Sequence, residues 1–232
     1  MTLRTYYQDT NLLQAKALVR SVTLLDGIYH VLLDHTIFHP QGGGQPSDQG
    51  SIGGIPILKA INNDVGEVVH LISENDFDSS VIAPLQEVEL LVNEKLRFKH
   101  AALHTAGHLI DRIVSRDFDL KAKLINPQGN HFPEQAKIVY DLVEGAEVDL
   151  EELKKNLHQL MSFYIGKTLP IQILSAPDER KRMISIADDE AVGCGGTHLP
   201  NTQYIEHFII RQIKIKKGKL SIAYDCDCSF GH

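Results

Sequence analysis

Two short motifs lie about ninety residues apart, His104-Thr105-Ala106-Gly107-His108 and Cys194-Gly195-Gly196-Thr197-His198. Residues four apart on a helix share one face, one turn from each other. The first motif therefore aims two imidazoles at one point. Cys and His at the same spacing, on a glycine-rich bend, complete a tetrahedron. Borderline-soft zinc accepts imidazole and thiolate alike, so His104, His108, Cys194 and His198 are the expected ligands of one Zn2+ ion. Either motif alone is weak, because most His-x-x-x-His pairs are core or capping histidines; the joint occurrence carries the reading. Thr105 stands where a HExxH protease places its general base, which disfavours peptide hydrolysis. Four protein ligands also close the sphere, as in structural zinc, whereas catalysis needs an open position. Three solutions stay open at this level. His198 binds loosely, the ion expands to five-coordinate, or the metal only orients a substrate.

The rest of the composition bounds the class. With 232 residues the chain can form one large or two small domains, and 43% hydrophobic content suits a globular rather than a disordered protein. No stretch approaches the roughly 18 uninterrupted apolar residues of a membrane span. The start, MTLRTYYQDTN, lacks the apolar region of a signal peptide. Three cysteines make no disulfide framework, and a reducing, cytoplasmic setting is expected. The net charge of −7 argues against a general nucleic-acid binder, but it is unevenly spread. Residues 1–92 hold 4 Lys+Arg against 11 Asp+Glu, and residues 93–232 hold 19 of each. Local basic runs at Lys95–Lys99, Arg180–Arg182 and Arg211–Lys219 are expected as solvated faces, with a focused contact to one RNA end compatible with them.

The texture changes near Glu94, and two domains are expected, 1–92 and 93–232. In the first, Asp26-Gly27 between apolar runs predicts a hairpin. Short apolar segments at 51–59, 66–72 and 86–92, separated by turn residues, predict a small β-barrel or curled sheet. Residues 10–20 are the one helix candidate there. In the second, apolar spacing predicts a helix over 94–118, and the acidic first turn at Asp149 predicts another to Tyr164. Strands are expected at 138–140, 170–175, 183–187, 207–215 and 220–224, with Lys217-Gly218 turning the last hairpin. The class is α+β, a β-barrel domain followed by a helix–sheet domain.

Phe38 to Gly50 contains HPQGGGQPSDQG, whose three successive glycines let the backbone come close to a ligand. It lacks the Lys-Ser/Thr of a P-loop. It reads either as a tight loop or as a pocket lined by Thr36 and Gln45. Cys226-Asp227-Cys228 is expected to be incidental, in a fraying tail. His100 and His131 are not expected to be ligands, and His131 is read as part of a turn into the 138–140 strand.

With these residues in view, the chain resembles the AlaX family, freestanding homologues of the alanyl-tRNA synthetase editing domain. Thr36 to Gln45 looks like the family's glycine-rich signature. Arg97 followed by His104–Leu109 looks like its first metal motif, and Gly193–His198 with Asn201–Ile205 like its second. Ile215–Tyr224 resembles its closing hairpin. Ser47 departs from the glycine usual before Asp48. The resemblance implies an editing domain of the threonyl/alanyl-tRNA synthetase type and hydrolysis of alanine-specific tRNA mischarged with serine or glycine. It maps the zinc positions onto His104, His108, Cys194 and His198. It makes Thr36 the sensor of the serine hydroxyl and Gln45 a group that positions the ester or its water. The partner is the acceptor end of a mischarged tRNA. Rival readings are editing of seryl-tRNA(Thr), a non-catalytic zinc-stabilised RNA-binding module, and a small-molecule metallohydrolase.

Overall fold

The computed structural model describes residues 2–118, 120, 122–174 and 182–230. The architecture is mixed α/β, with sheets and two helices. It divides into two units. One comprises Met1–Gly42, Pro46–Arg97 and Gly195–Thr197, the other Gly43–Gln45, Phe98–Cys194 and His198–His232.

The first unit is built on a seven-stranded antiparallel sheet. Its spatial order is Ile55–Pro56, Gly50–Ile52, Glu87–Val92, Gln14–Leu25, Ile28–Leu33, Val68–Ser73 and Lys59–Asn62. No ladder joins the two terminal strands among the described residues, so the sheet is open and the closure expected of a barrel is not found. The Asp26-Gly27 turn joins its two central strands, with φ of 49° and 75° as a two-residue hairpin requires. The helix expected at 10–20 is a correction: Gln14–Leu25 is a strand. Its burial alternates, with Ala17 and Val19 inside and Lys16, Leu18 and Arg20 outside. Period two defeats the helical spacing of the same leucines. Val31, Leu33, Ile37, Phe38, Ile52 and Leu90 are among the residues that share this core.

A buried ion pair ties down the glycine-rich segment of this unit. Arg97 and Asp48 are both fully buried, with Nη2 2.5 Å from Oδ2. Arg97 also donates to the carbonyls of Thr10 (2.7 Å) and Ile37 (2.6 Å), and the His39 amide donates to Asp48. Each guanidinium nitrogen has a partner, which is what makes a charge tolerable inside a protein; removing one partner costs about 3–5 kcal/mol. The run Lys95–Lys99 is therefore not the solvated face expected of it.

The second unit carries a four-stranded antiparallel sheet in the order Leu124–Asn130, Lys137–Leu142, Lys219–Cys228 and Ile205–Lys216. A three-stranded sheet orders Ile171–Leu174, Met183–Ile186 and Val192–Gly193. Helix α1 (Glu94–Arg116) buries Leu103, Ala106, Leu109, Ile110 and Ile113 completely. Helix α2 (Leu150–Gly166) buries Leu153, Leu157 and Met161 at four-residue spacing; the Asp149 carboxylate caps it by accepting from the amides of Glu151 and Glu152. Lys217 and Gly218, with φ of 51° and 70°, turn the last hairpin. That hairpin runs on to Cys228 with Cys226 buried, so the expected fraying tail is a paired strand. Leu124–Asn130 was not legible as a strand, because Pro127 and Gly129 interrupt it. It is an edge strand with an irregularity between Ile125 and Gln128, where such residues are tolerated. Ser175, at the end of one expected strand, and Arg180 and Lys181 of a basic run lie outside the described residues. Among the described residues, no helix is long and apolar enough to cross a membrane.

Candidate metal centre

Helix α1 presents His104 and His108 one turn apart, with ring centroids 5.2 Å from each other. The bend at Cys194–His198 brings Cys194 Sγ to 3.2 Å from His104 Nε2 and 3.2 Å from His198 Nε2. One donor atom from each of His104, His108, Cys194 and His198 lies within 4.8 Å of all the others. Zinc bonds of 2.0–2.3 Å in a tetrahedron require donor separations of roughly 3.5 Å. Three nitrogens and one sulfur at these separations fit a divalent ion of the zinc type. Burial, with Arg182's charge adding to it, lowers the His108 pKa to about 4, so its imidazole is neutral with a lone pair to offer.

The residues around the ligands explain the motif's other letters. Thr105 Oγ1 accepts from the Leu199 amide (3.1 Å) and lies 3.3 Å from His198 Nδ1. With Nε2 turned to the cluster, His198 Nδ1 carries the proton and donates to Thr105. Such a contact fixes the tautomer and the ring plane of a metal-binding histidine. Thr105, which stands in place of a protease's general base, orients a ligand from the other motif.

His131 is the residue that sequence reasoning passed over. Its ring is buried and lies 4.2 Å, centroid to centroid, from His104. Tyr224 Oη donates to the Leu103 carbonyl (2.8 Å), so His131 Nδ1, 2.8 Å from that oxygen, must be the donor to it. Burial, followed by His108's charge, lowers the His131 pKa to about 3. The ring sits in a slot between two glycines. A Cβ on Gly107 would fall 2.5 Å from its Cε1, and one on Gly129 would fall 2.3 Å from its Nε2. The glycine in HTAGH was the available signal.

Thr36 and Gln45 fall in different units. Thr36 is fully buried, and its bonding is settled by its neighbours. His70 Nδ1 faces the Val31 carbonyl at 3.2 Å and must donate to it, leaving Nε2 to accept from the Thr36 hydroxyl at 2.8 Å. The Phe38 amide donates to the same Thr36 oxygen at 3.1 Å. Gln45 is fully buried in the unit that holds the metal ligands. Its neighbour Gly44 has φ of 75°, and its Cβ would fall 2.1 Å from the Gly129 carbonyl oxygen, so only glycine allows that approach.

Fold and site together define a mixed α/β protein with a three-histidine, one-cysteine cluster able to hold a metal ion. A family profile described as "Threonyl and Alanyl tRNA synthetase second additional domain" matches residues 182–220, which include Cys194 and His198. Over its length the chain is 30% identical to the alanyl-tRNA editing protein AlaX-M of Pyrococcus horikoshii, across 94% of this chain and 95% of that protein. It is 27% identical to AlaX-L of the same organism, across 97% of this chain but 58% of the relative. It is 28% identical to the alanine–tRNA ligase of Methanococcoides burtonii, covering 96% of this chain and 26% of the ligase. The chain belongs to the AlaX family of alanyl-tRNA editing proteins.

Proposed function

We propose that this chain is a trans-editing hydrolase that removes serine, and glycine, from wrongly charged alanine-specific tRNA, with Zn2+ held by His104, His108, Cys194 and His198. The observation that carries the reading is the four-donor cluster within 4.8 Å, in a chain similar to AlaX-M over nearly its whole length. Physical need supports it. A synthetase pocket sized for alanine cannot strongly exclude glycine, which is smaller, or serine, which adds a single hydroxyl; a second site must remove the errors. The aminoacyl ester on the terminal ribose is already activated, so a positioned water suffices. Zinc at this site would supply Lewis-acid polarisation or orientation of the substrate.

The chain's own residues do the positioning. Thr105 holds His198 in register. Thr36, with its proton committed to His70, offers only an acceptor, which suits a donor such as the serine hydroxyl. Gln45 positions the ester or its water. The substrate is the acceptor end of a mischarged tRNA, and the work belongs in the cytoplasm, where translation occurs.

The test is deacylation of seryl-, glycyl- and alanyl-tRNA(Ala) side by side, with the metal content of the same sample determined. Fast loss of serine with alanine spared is expected. A zinc-loaded sample that hydrolyses none of them would point instead to a binding module. Equal rates on seryl-tRNA(Thr), a substrate the profile's threonyl relatives bring to mind, would remove the alanine assignment.

A further inference from the structure

We infer that a track of cations and aromatics leading from the metal ligands along α1 to α2 holds the single-stranded 3′ end of the RNA. This rests on the reading that the substrate is an aminoacyl-tRNA. His104, His108, Arg112 and Arg116 are spaced four apart along one ridge of α1, each step rising about 6 Å. An ester placed at the two histidines therefore has Arg112 one step away and Arg116 two, in a direction a phosphodiester backbone can follow.

Both guanidinium groups are held in place. Arg112 Nε and Arg116 Nη1 donate to opposite oxygens of one carboxylate, Asp189. The Arg112 guanidinium carbon also lies 4.4 Å from the Tyr164 ring centroid, and Tyr164 Oη donates to Asp117 at 2.8 Å. Asp189 fixes both guanidinium groups, and the Arg116 side chain is left 60% exposed. An exposed guanidinium fork held in place by a carboxylate suits phosphate geometry. The track continues onto α2. Phe163 packs against Tyr164, with centroids 5.2 Å apart, and leaves 53% of its surface exposed. Lys167 Nζ lies 5.0 Å from its centroid. An exposed aromatic beside fixed cations is the combination that binds single-stranded nucleic acid, bases stacking on the ring and phosphates meeting the charges.

The experiment uses the full zinc-loaded chain and a short single-stranded RNA with a free terminal ribose diol, titrated at several salt concentrations. Arg116 has a 60% exposed side chain, so Arg116→Gln should leave the fold intact. It should weaken binding on the order of tenfold and reduce the slope of log K against log salt by about 0.7. Phe163→Ala should weaken binding with the slope unchanged, because stacking releases no counterions; a merely structural effect would not separate the two readouts. Unchanged affinity and slope in both variants would overturn the inference. So would a loss confined to Lys214→Gln and Lys216→Gln on the last hairpin, which would put the RNA on the four-stranded sheet. If the wild-type chain deacylates nothing while binding still depends on Arg116 and Phe163, the proposed function fails and this inference stands. Deacylation that ignores both residues has the opposite meaning.

Discussion

Replacing Gly107 by alanine should destabilise this protein, although the same change inside a helix normally stabilises it. Alanine gains about 1 kcal/mol over glycine in a helix interior. Here the new methyl would fall 2.5 Å from His131 Cε1 and 2.7 Å from Tyr224 Oη. The imidazole cannot slide away, since its Nε2 already lies against Gly129 and its Nδ1 is bonded to Tyr224. Overpacking of this kind costs about 1–3 kcal/mol, and stretching the His131–Tyr224 bond adds about 0.5–1.5 kcal/mol. The net loss is about 1–3 kcal/mol, a melting temperature lower by about 2–12 °C for a chain of this size. His131 faces His104, so the displaced ring should also lower metal stoichiometry. The assay is a thermal melt of metal-loaded protein with the metal measured before and after dialysis. Gly166→Ala, at the end of α2 with nothing within 4 Å of the added carbon, is the matched control and should be neutral or stabilising. A Gly107→Ala protein that melts as high as that control, with full metal, would refute the glycine-slot account of His131.

Three further outcomes are expected. Cys194→Ala should lose metal binding and deacylation together, and chelation of the wild type should lower its melting temperature, both read by metal analysis and calorimetry; retained metal with full activity would remove Cys194 from the ligand set. Thr36→Val should leave metal content unchanged while orphaning His70 Nε2 and the Phe38 amide, a cost of about 1–3 kcal/mol in a denaturant melt, and should relax discrimination between seryl- and alanyl-tRNA(Ala). Burial lowers the His70 pKa to about 4, below the roughly 6.5 of an unfolded histidine. Between pH 6.5 and 4 the unfolded chain binds a proton that the folded chain refuses, so stability present above pH 6.5 is lost on acidification, on the order of 3 kcal/mol in full. His108 and His131, lowered in the same direction, add to the loss in this window, so His70→Gln should make that part of the pH–stability curve shallower without flattening it, and an unaltered curve would show that His70 does not titrate as its burial requires.

Much of this protein is written in local sequence. Asp26-Gly27 and Lys217-Gly218 specify hairpins because two consecutive positive φ angles need such residues, and both are found. The helices α1 and α2 follow from apolar residues recurring every three to four positions, with Asp149 supplying the start of the second. Donor types and their four-residue spacings are likewise legible, since a helix turn and a glycine bend are properties of a few adjacent residues. Only the tertiary structure brings His104 and His108 to Cys194 and His198 within 4.8 Å. It also decides that the first sheet stays open, that Gln14–Leu25 pairs as a strand, and that Arg97, inside a run of charges, is buried on Asp48. His131 belongs with these. Its partner Tyr224 is 93 residues away, and its slot is made by glycines from a helix and an edge strand. Periodicity and spacing report the geometry of a single element; which elements meet is set by burial and hydrogen bonding between segments far apart in the chain, and no local pattern encodes that pairing.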